Sequence, residues 1–181
     1  MASHIASLIM EAMNAECCQN FAGPKHTLVD FHRMMTRLVE MEDSQYSYRN
    51  VLAAYTSGGI LAGICVAYDG GKLHQLRRRF YEAALEAFGI DYTGMTDETE
   101  DGEFYIDSLA VSSNFRGKGI ASQLLQATIE RGAEFGIPTV GLLVDKGNPK
   151  AEALYQRLGF VYVNDSTWGG HPMRHLQYKH D

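Results

Sequence analysis

Two cations and two glycines, Arg116-Gly117-Lys118-Gly119, stand where a strand-forming run hands over to a helical one. The first N–H groups of a helix have no internal partners, and the helix dipole places partial positive charge there. Glycine lets a ligand come close to the backbone, and Arg116 and Lys118 add full charges. The chemistry to expect is capture of a phosphate or pyrophosphate. The stretch has neither the Gly-x-x-x-x-Gly-Lys-[Ser/Thr] of a P-loop nor the Gly-x-Gly-x-x-Gly of a dinucleotide fold. Taken alone, a basic turn ahead of a buried helix accounts for it equally well.

The elements around this turn are legible from spacing. Before it, Tyr105, Ile106, Leu109 and Val111 are strand formers stopped by Ser112, Ser113 and Asn114. After it, Ile120, Ala121, Leu124, Leu125, Thr128 and Ile129 recur at helical spacing until Gly136 and Pro138. Nearer the N-terminus, Ser3 reads as the cap of a first helix with the stripe Ile5, Leu8, Ile9, Ala12 and Met13. A Gly/Pro loop is expected from Phe21 to Lys25, then a helix opened by a capping box at Thr27-Leu-Val-Asp30, with Phe31, Met34, Met35 and Leu38 on its core face. Residues 50–55 and 60–68 read as a hairpin turned by Ser57-Gly-Gly59. A helix over 73–88 carries Arg77, Arg78 and Arg79, which point in different directions and are expected to form a solvated basic face. Residues 91–103 read as a mobile acidic loop. Strands are expected over 139–144, 160–163 and 173–178, the last two a hairpin across Trp168-Gly-Gly170, with a helix between the first two capped by Asn148 and started by Pro149.

The bulk numbers set the class. A chain of 181 residues with 45% hydrophobic and 21% charged content fits one α/β domain over residues 1–181. A net charge of −6 argues against a nucleic-acid partner. No run is apolar enough to span a bilayer. Cys17, Cys18 and Cys65 are too few and too oddly spaced for a disulfide framework or a zinc site, so a reducing, cytoplasmic setting and no metal are expected.

The form Arg116-x-x-Gly119-x-Ala121 behind a Leu-Ala-Val strand resembles the [Arg/Gln]-x-x-Gly-x-[Gly/Ala] motif of the GNAT family of N-acetyltransferases. Asn148-Pro-Lys-Ala-Glu-Ala-Leu-Tyr155-Gln-Arg-Leu-Gly-Phe160 resembles the family's second signature. The two stand in the family's order and cover residues 104–164. The resemblance implies a mixed, twisted sheet whose central parallel strands splay apart, flanked by helices. The family opens on a strand and this chain on a helix, so either the start is truncated or the sheet has one strand fewer. The helix over 73–88 and the acidic loop resemble an insertion.

The resemblance also implies acetyl-CoA as cosubstrate. The backbone of Leu109, Ala110 and Val111 would pair with the pantetheine arm, and the N–H groups of Arg116, Gly117, Lys118, Gly119, Ile120 and Ala121 would hold the pyrophosphate. Asn148 would bind the pantetheine, cap its helix, or both. Tyr155 matches the tyrosine that donates a proton or a hydrogen bond to the CoA sulfur, and a backbone N–H of Val111 or Leu109 would receive the oxyanion. For the general base, some members use a glutamate where this chain has Leu143. Strand alternation puts Glu103, Tyr105 and Asp107 on one face with Leu109, which makes Asp107 the first choice and Glu103 the second, unless a bulge upsets the parity. The implied activity is acetyl transfer to a primary amine of a small molecule or peptide. The alternative is a CoA-binding regulatory module without turnover, which would not need Tyr155. The carboxylates at 97–103 would favour a cationic acceptor, and the C-terminal strand offers an edge for a homodimer.

Overall fold

The computed structural model describes residues 1–181. Helix α1, Ala2–Met13, starts at Met1 without a side-chain cap, so Ser3 lies inside the helix and does not open it. Asn14 breaks the helix at φ 70°, and its Oδ1 accepts the Cys17 N–H at 2.9 Å to start α2, Ala15–Ala22. Phe21 and Ala22 therefore close a helix, and the expected loop shrinks to the residues after it. The capping box forms as read: Thr27 Oγ1 accepts the Asp30 N–H, and the Asp30 carboxylate accepts the Thr27 N–H at 2.9 Å, opening α3, Leu28–Glu40.

Strands β1, Val51–Tyr55, and β2, Leu61–Asp69, pair as the expected hairpin. Helix α4, Leu73–Phe88, and the acidic segment lead to β3, Phe104–Val111. Then follow α5, Ile120–Glu134, β4, Thr139–Asp145, α6, Pro149–Arg157, and the hairpin of β5, Val161–Trp168, with β6, His171–Lys179. The sheet order is β1-β2-β3-β4-β6-β5, antiparallel except for β3 with β4. The C-terminal strand thus lies inside the sheet between β4 and β5. The edge expected of β6 belongs to β5, where Val161, Tyr162 and Val163 are exposed.

Alternation along β2 separates two cores. Ile64, Val66 and Tyr68 pack under the first four helices with Ile9, Phe31, Met35 and Phe80. Cys65 and Ala67 face α5 with Leu125, Ile129, Val140 and Leu142. No helix is long and apolar enough to cross a membrane, and all three cysteines are free.

Two expectations for the insertion fail for one reason. Arg77 is 1% exposed and not part of a solvated face. Its Nη2 donates to Glu98 Oε1 at 2.9 Å, its Nη1 to the Thr96 carbonyl at 3.1 Å, and its guanidinium lies 5.2 Å from the Trp168 ring centre. A buried guanidinium needs a carboxylate partner, and the acidic segment supplies it. The same segment is fastened elsewhere. The Gly70 N–H donates to the Glu103 carbonyl at 2.7 Å, and Thr99 Oγ1 donates to the Gly70 carbonyl at 2.6 Å. A side chain at Gly70 would collide with the Glu100 carbonyl, which is why glycine stands there. The loop is docked, not free. Arg78 stays exposed, and Arg79 turns to Asp43 at 2.7 Å.

Glu103 is buried as well, its Oε2 2.6 Å from His175 Nε2 and 2.7 Å from Gln177 Nε2. It reaches across β4 through the gap that Gly141 leaves, where any Cβ would overlap its carboxylate. The hydrogen bond to Glu103, with the charges of Glu103 and Glu100, raises the His175 pKa against the opposing effect of burial. A raised histidine contributes stability that is full below its unfolded value of about 6.5 and is lost as pH rises through the folded value. His175→Gln should therefore lower the denaturation midpoint more at pH 6 than at pH 9. An equal loss at both, read by urea unfolding, would show that the charge of His175 contributes nothing.

Candidate active site

Parallel pairing between β3 and β4 lasts for three residues, Phe104 with Val140, Tyr105 with Gly141 and Ile106 with Leu142, and then the strands part. Leu109, Ala110 and Val111 keep partners on β2 but have none on β4. The divergence opens a cleft of about 1130 Å³. Leu109, Ala110, Val111, Arg116, Gly117, Gly119, Ile120, Ala121 and Asn148 all line it, as do Asp107 and Tyr155. Lys118 does not. It is exposed, with Nζ 5.5 Å from the Phe115 ring centre.

The turn has the backbone that its glycines predict. Gly117 and Gly119 sit at φ 76° and 78°, in the left-handed region, and Gly119 is the N-cap of α5. No atom would meet a Cβ at either, so the space beside the amides is open. Arg116 folds back: its Nε donates to the Val111 carbonyl at 3.1 Å, and its guanidinium comes within 3.9 Å of Glu11. The turn can therefore meet an anion with backbone N–H groups at a helix N-terminus, with the Arg116 charge close by.

The bulge foreseen as a complication is present. Val66 pairs with Ser108 and Ala67 with Ile106, which leaves Asp107 as the extra residue. Parity changes there. Tyr105 and Ala110 pack under the N-terminal helices, whereas Leu109 packs against the α5 core, so Asp107 and Leu109 do not share the face that strict alternation gave them. Asp107 Oδ2 accepts the Tyr68 O–H at 2.7 Å and Gln45 Nε2 at 3.2 Å, while Oδ1 accepts the Ser108 O–H at 2.9 Å. Burial pushes its carboxyl above the ordinary range, opposed by those three hydrogen bonds and the Arg77 charge. Glu103, the second choice for a base, is corrected: it lies outside the cleft, held by His175 and Gln177. Glu100, Glu103 and His175 bring ligand-type atoms within 4.8 Å of one another, and the hydrogen bonds among these residues and Gln177 account for that closeness.

On the other wall, Tyr155 packs edge-on to Phe160 with ring centres 6.0 Å apart. Burial, with a contribution from Cys65, pushes its hydroxyl pKa upward, which keeps it protonated and able to donate. Asn148 Oδ1 accepts the Ala151 N–H at 3.2 Å and so caps α6, leaving its amide N–H groups for other partners.

Among the cleft residues that sequence reasoning did not assign there are Asn14, Cys17, Tyr46 and Trp168, and Glu98 is the one carboxylate of the acidic segment 97–103 that lines it. Trp168, the one tryptophan in the chain, carried a signal that its place beside a Gly-Gly turn obscured. Glu98 looked like one carboxylate among many. Burial and the nearby Asp107 charge push its pKa up, against the pull of Arg77.

The comparisons with known proteins agree with this geometry. The model of the acetyltransferase (GNAT) family matches residues 30–160. A mycothiol acetyltransferase of Propionibacterium freudenreichii is 35% identical over 42% of this chain and 24% of its own length. A spermine/spermidine N(1)-acetyltransferase of Bacillus subtilis is 26% identical over 50% of this chain and 62% of its own. The chain thus spans less than two thirds of the length of these relatives. An acetyltransferase crystal structure superposes with a TM-score of 0.82 at 26% identity, covering 99% of this chain and 95% of the other. With the family model matching residues 30–160, most of its length, the chain belongs to the GNAT family of acetyltransferases.

Proposed function

We propose that this protein transfers the acetyl group of acetyl-CoA to a primary amine. The observation that carries the reading is that one continuous cleft holds four parts: the glycine turn, the unpaired edge of β3, a tyrosine kept protonated and a carboxylate with a raised pKa. The amides of residues 116–121 would bind the pyrophosphate, and Leu109 to Val111 would pair with the pantetheine arm as an added strand would. Asp107, directly or through water, takes a proton from the amine. The nitrogen then attacks the thioester carbonyl, and a backbone N–H of Val111 or Leu109 stabilises the oxyanion. When the carbon–sulfur bond breaks, the Tyr155 hydroxyl gives its proton to the departing sulfur. The second proton of the acylated nitrogen returns to the Tyr155 phenolate, Asp107 gives its proton to solvent, and the products are an N-acetyl amine and CoA.

On the acceptor side, Glu98 and Asp107 line the cleft and favour an amine that arrives as a cation, such as a polyamine or a basic peptide end. The B. subtilis relative is named for spermine and spermidine, which supports testing those first. A module that only bound CoA would use the glycine turn but would gain nothing from Tyr155 and Asp107 beside it.

The direct test is acetyl-CoA consumption against a panel of amines, with mass spectrometry of the product. A mass gain of one acetyl group on an amine is expected, and CoA binding without turnover of any amine would favour the binding module. Tyr155→Phe keeps the ring and removes the proton donor, so kcat should fall about ten- to a thousandfold with KM for acetyl-CoA nearly constant. An unaltered kcat with chemistry limiting would return Tyr155 to packing alone. Gly119→Val puts a branched side chain at positive φ beside the amides, and calorimetry should show acetyl-CoA affinity reduced by about tenfold or more in a folded protein. Undiminished affinity would remove the turn from the binding site.

A further inference from the structure

The strand bulge that exposes Asp107 to the cleft also hands its carboxylate to two residues no substrate can touch. Tyr68 on β2 and Gln45 in the loop after α3 are both buried, 3% and 2% exposed. Tyr68 donates its O–H to Asp107 Oδ2 at 2.7 Å. Gln45 Nε2 lies 3.2 Å from the same oxygen and 3.4 Å from the Tyr68 hydroxyl, so the three groups form a closed set. Oδ2 is thereby saturated. Oδ1 has the neighbouring Ser108 hydroxyl and lone-pair capacity to spare.

We infer that Tyr68, backed by Gln45, is a positioning residue for acetyl transfer: it pins Asp107 Oδ2 and so presents Oδ1 as the oxygen that takes the proton from the acceptor amine. This rests on the reading of Asp107 as the base. The chemistry is one of competition between two effects. Burial without donors would hold the carboxyl protonated at neutral pH and useless as a base. A hydroxyl given to the charged form lowers that barrier without supplying a cation, which would compete for the amine's site. The other titratable or charged groups packed near Asp107 are Tyr46, Cys65, Tyr105, Cys17 and the Arg77–Glu98 pair. The first four are neutral tyrosines and thiols with raised values; the Arg77 charge favours ionised Asp107, while burial and the Asp107 charge push Glu98 itself up to about 8. Against burial, the Tyr68 hydroxyl is the foremost group favouring the charged Asp107, followed by the Ser108 and Gln45 donors and the Arg77 charge.

The test is a titration of the Asp107 carboxyl by carbon-13 NMR, with the resonance assigned by its loss in Asp107→Asn. It needs no acceptor. Removing a donor from the charged form makes ionisation harder, so in Tyr68→Phe the Asp107 midpoint should rise by about one pH unit. The acid limb of kcat for the best amine in the panel should move up with it, while the high-pH plateau and KM for acetyl-CoA stay close to those of the parent protein. Gln45→Leu should show a smaller rise and serves if Tyr68→Phe does not fold. An unmoved midpoint in a folded Tyr68→Phe or Gln45→Leu variant overturns the inference while leaving the base assignment intact. Undiminished transfer by Asp107→Asn overturns the base assignment, and with it the catalytic meaning of the network, whatever the titration shows.

Discussion

The rest of the structure depends on the short parallel register between β3 and β4. Three pairs hold the strands together and then the register ends, so the β4-facing edge of residues 109–111 has no strand to pair with. Backbone N–H and C=O groups inside a protein require partners. An interior sheet edge left open in this way requires either water or an extended ligand. Everything around the cleft keeps that opening in place. Bulged at Asp107, β3 parts from β4 while staying paired with β2 on both sides of the shift in register. The β5–β6 hairpin holds β4 from its other side along its whole length. The glycine turn then places a helix N-terminus at one mouth of the gap.

A second set of interactions, polar and buried, lies between the sheet and the N-terminal helices. Arg77 on α4 pairs with Glu98, Glu98 receives the Tyr105 hydroxyl at 2.9 Å, and Trp168 from β5 covers the guanidinium. The insertion is thereby tied to β3 and to the far hairpin, and it forms part of the cleft wall. The cost of burying these charges is met only if every partner is present. The link from packing to chemistry follows from this: the elements that fix Glu98 also fix the electrostatics around Asp107.

Much of this was legible locally. The strand-turn-helix at residues 105–135, the capping box at Thr27, the N-cap at Asn148 and the Ser57–Gly59 hairpin are written in spacing and cap residues that act within a few positions. What escaped depends on partners distant in sequence. Arg77 can be buried only because Glu98 meets it 21 residues later. Glu103 left the cleft because Gly141 and His175, on two other strands, make a place for it. The parity of Asp107 depends on how β3 counts against β2, and no pattern within β3 records that. The elbow at Asn14 is the exception: its positive φ and side-chain cap are local, and a polar Asn between two apolar stripes was the available signal.

The proposed function requires acetyl-CoA to bind in the gap where β3 and β4 part. A diffraction structure of the protein with CoA bound tests this most directly. The pyrophosphate should lie against the amides of residues 116–121, with the pantetheine arm running antiparallel or parallel to residues 109–111 in the gap facing Leu143 and its thiol end directed to Tyr155. CoA seated elsewhere, with the glycine turn free and the gap between β3 and β4 filled only by solvent, would contradict it.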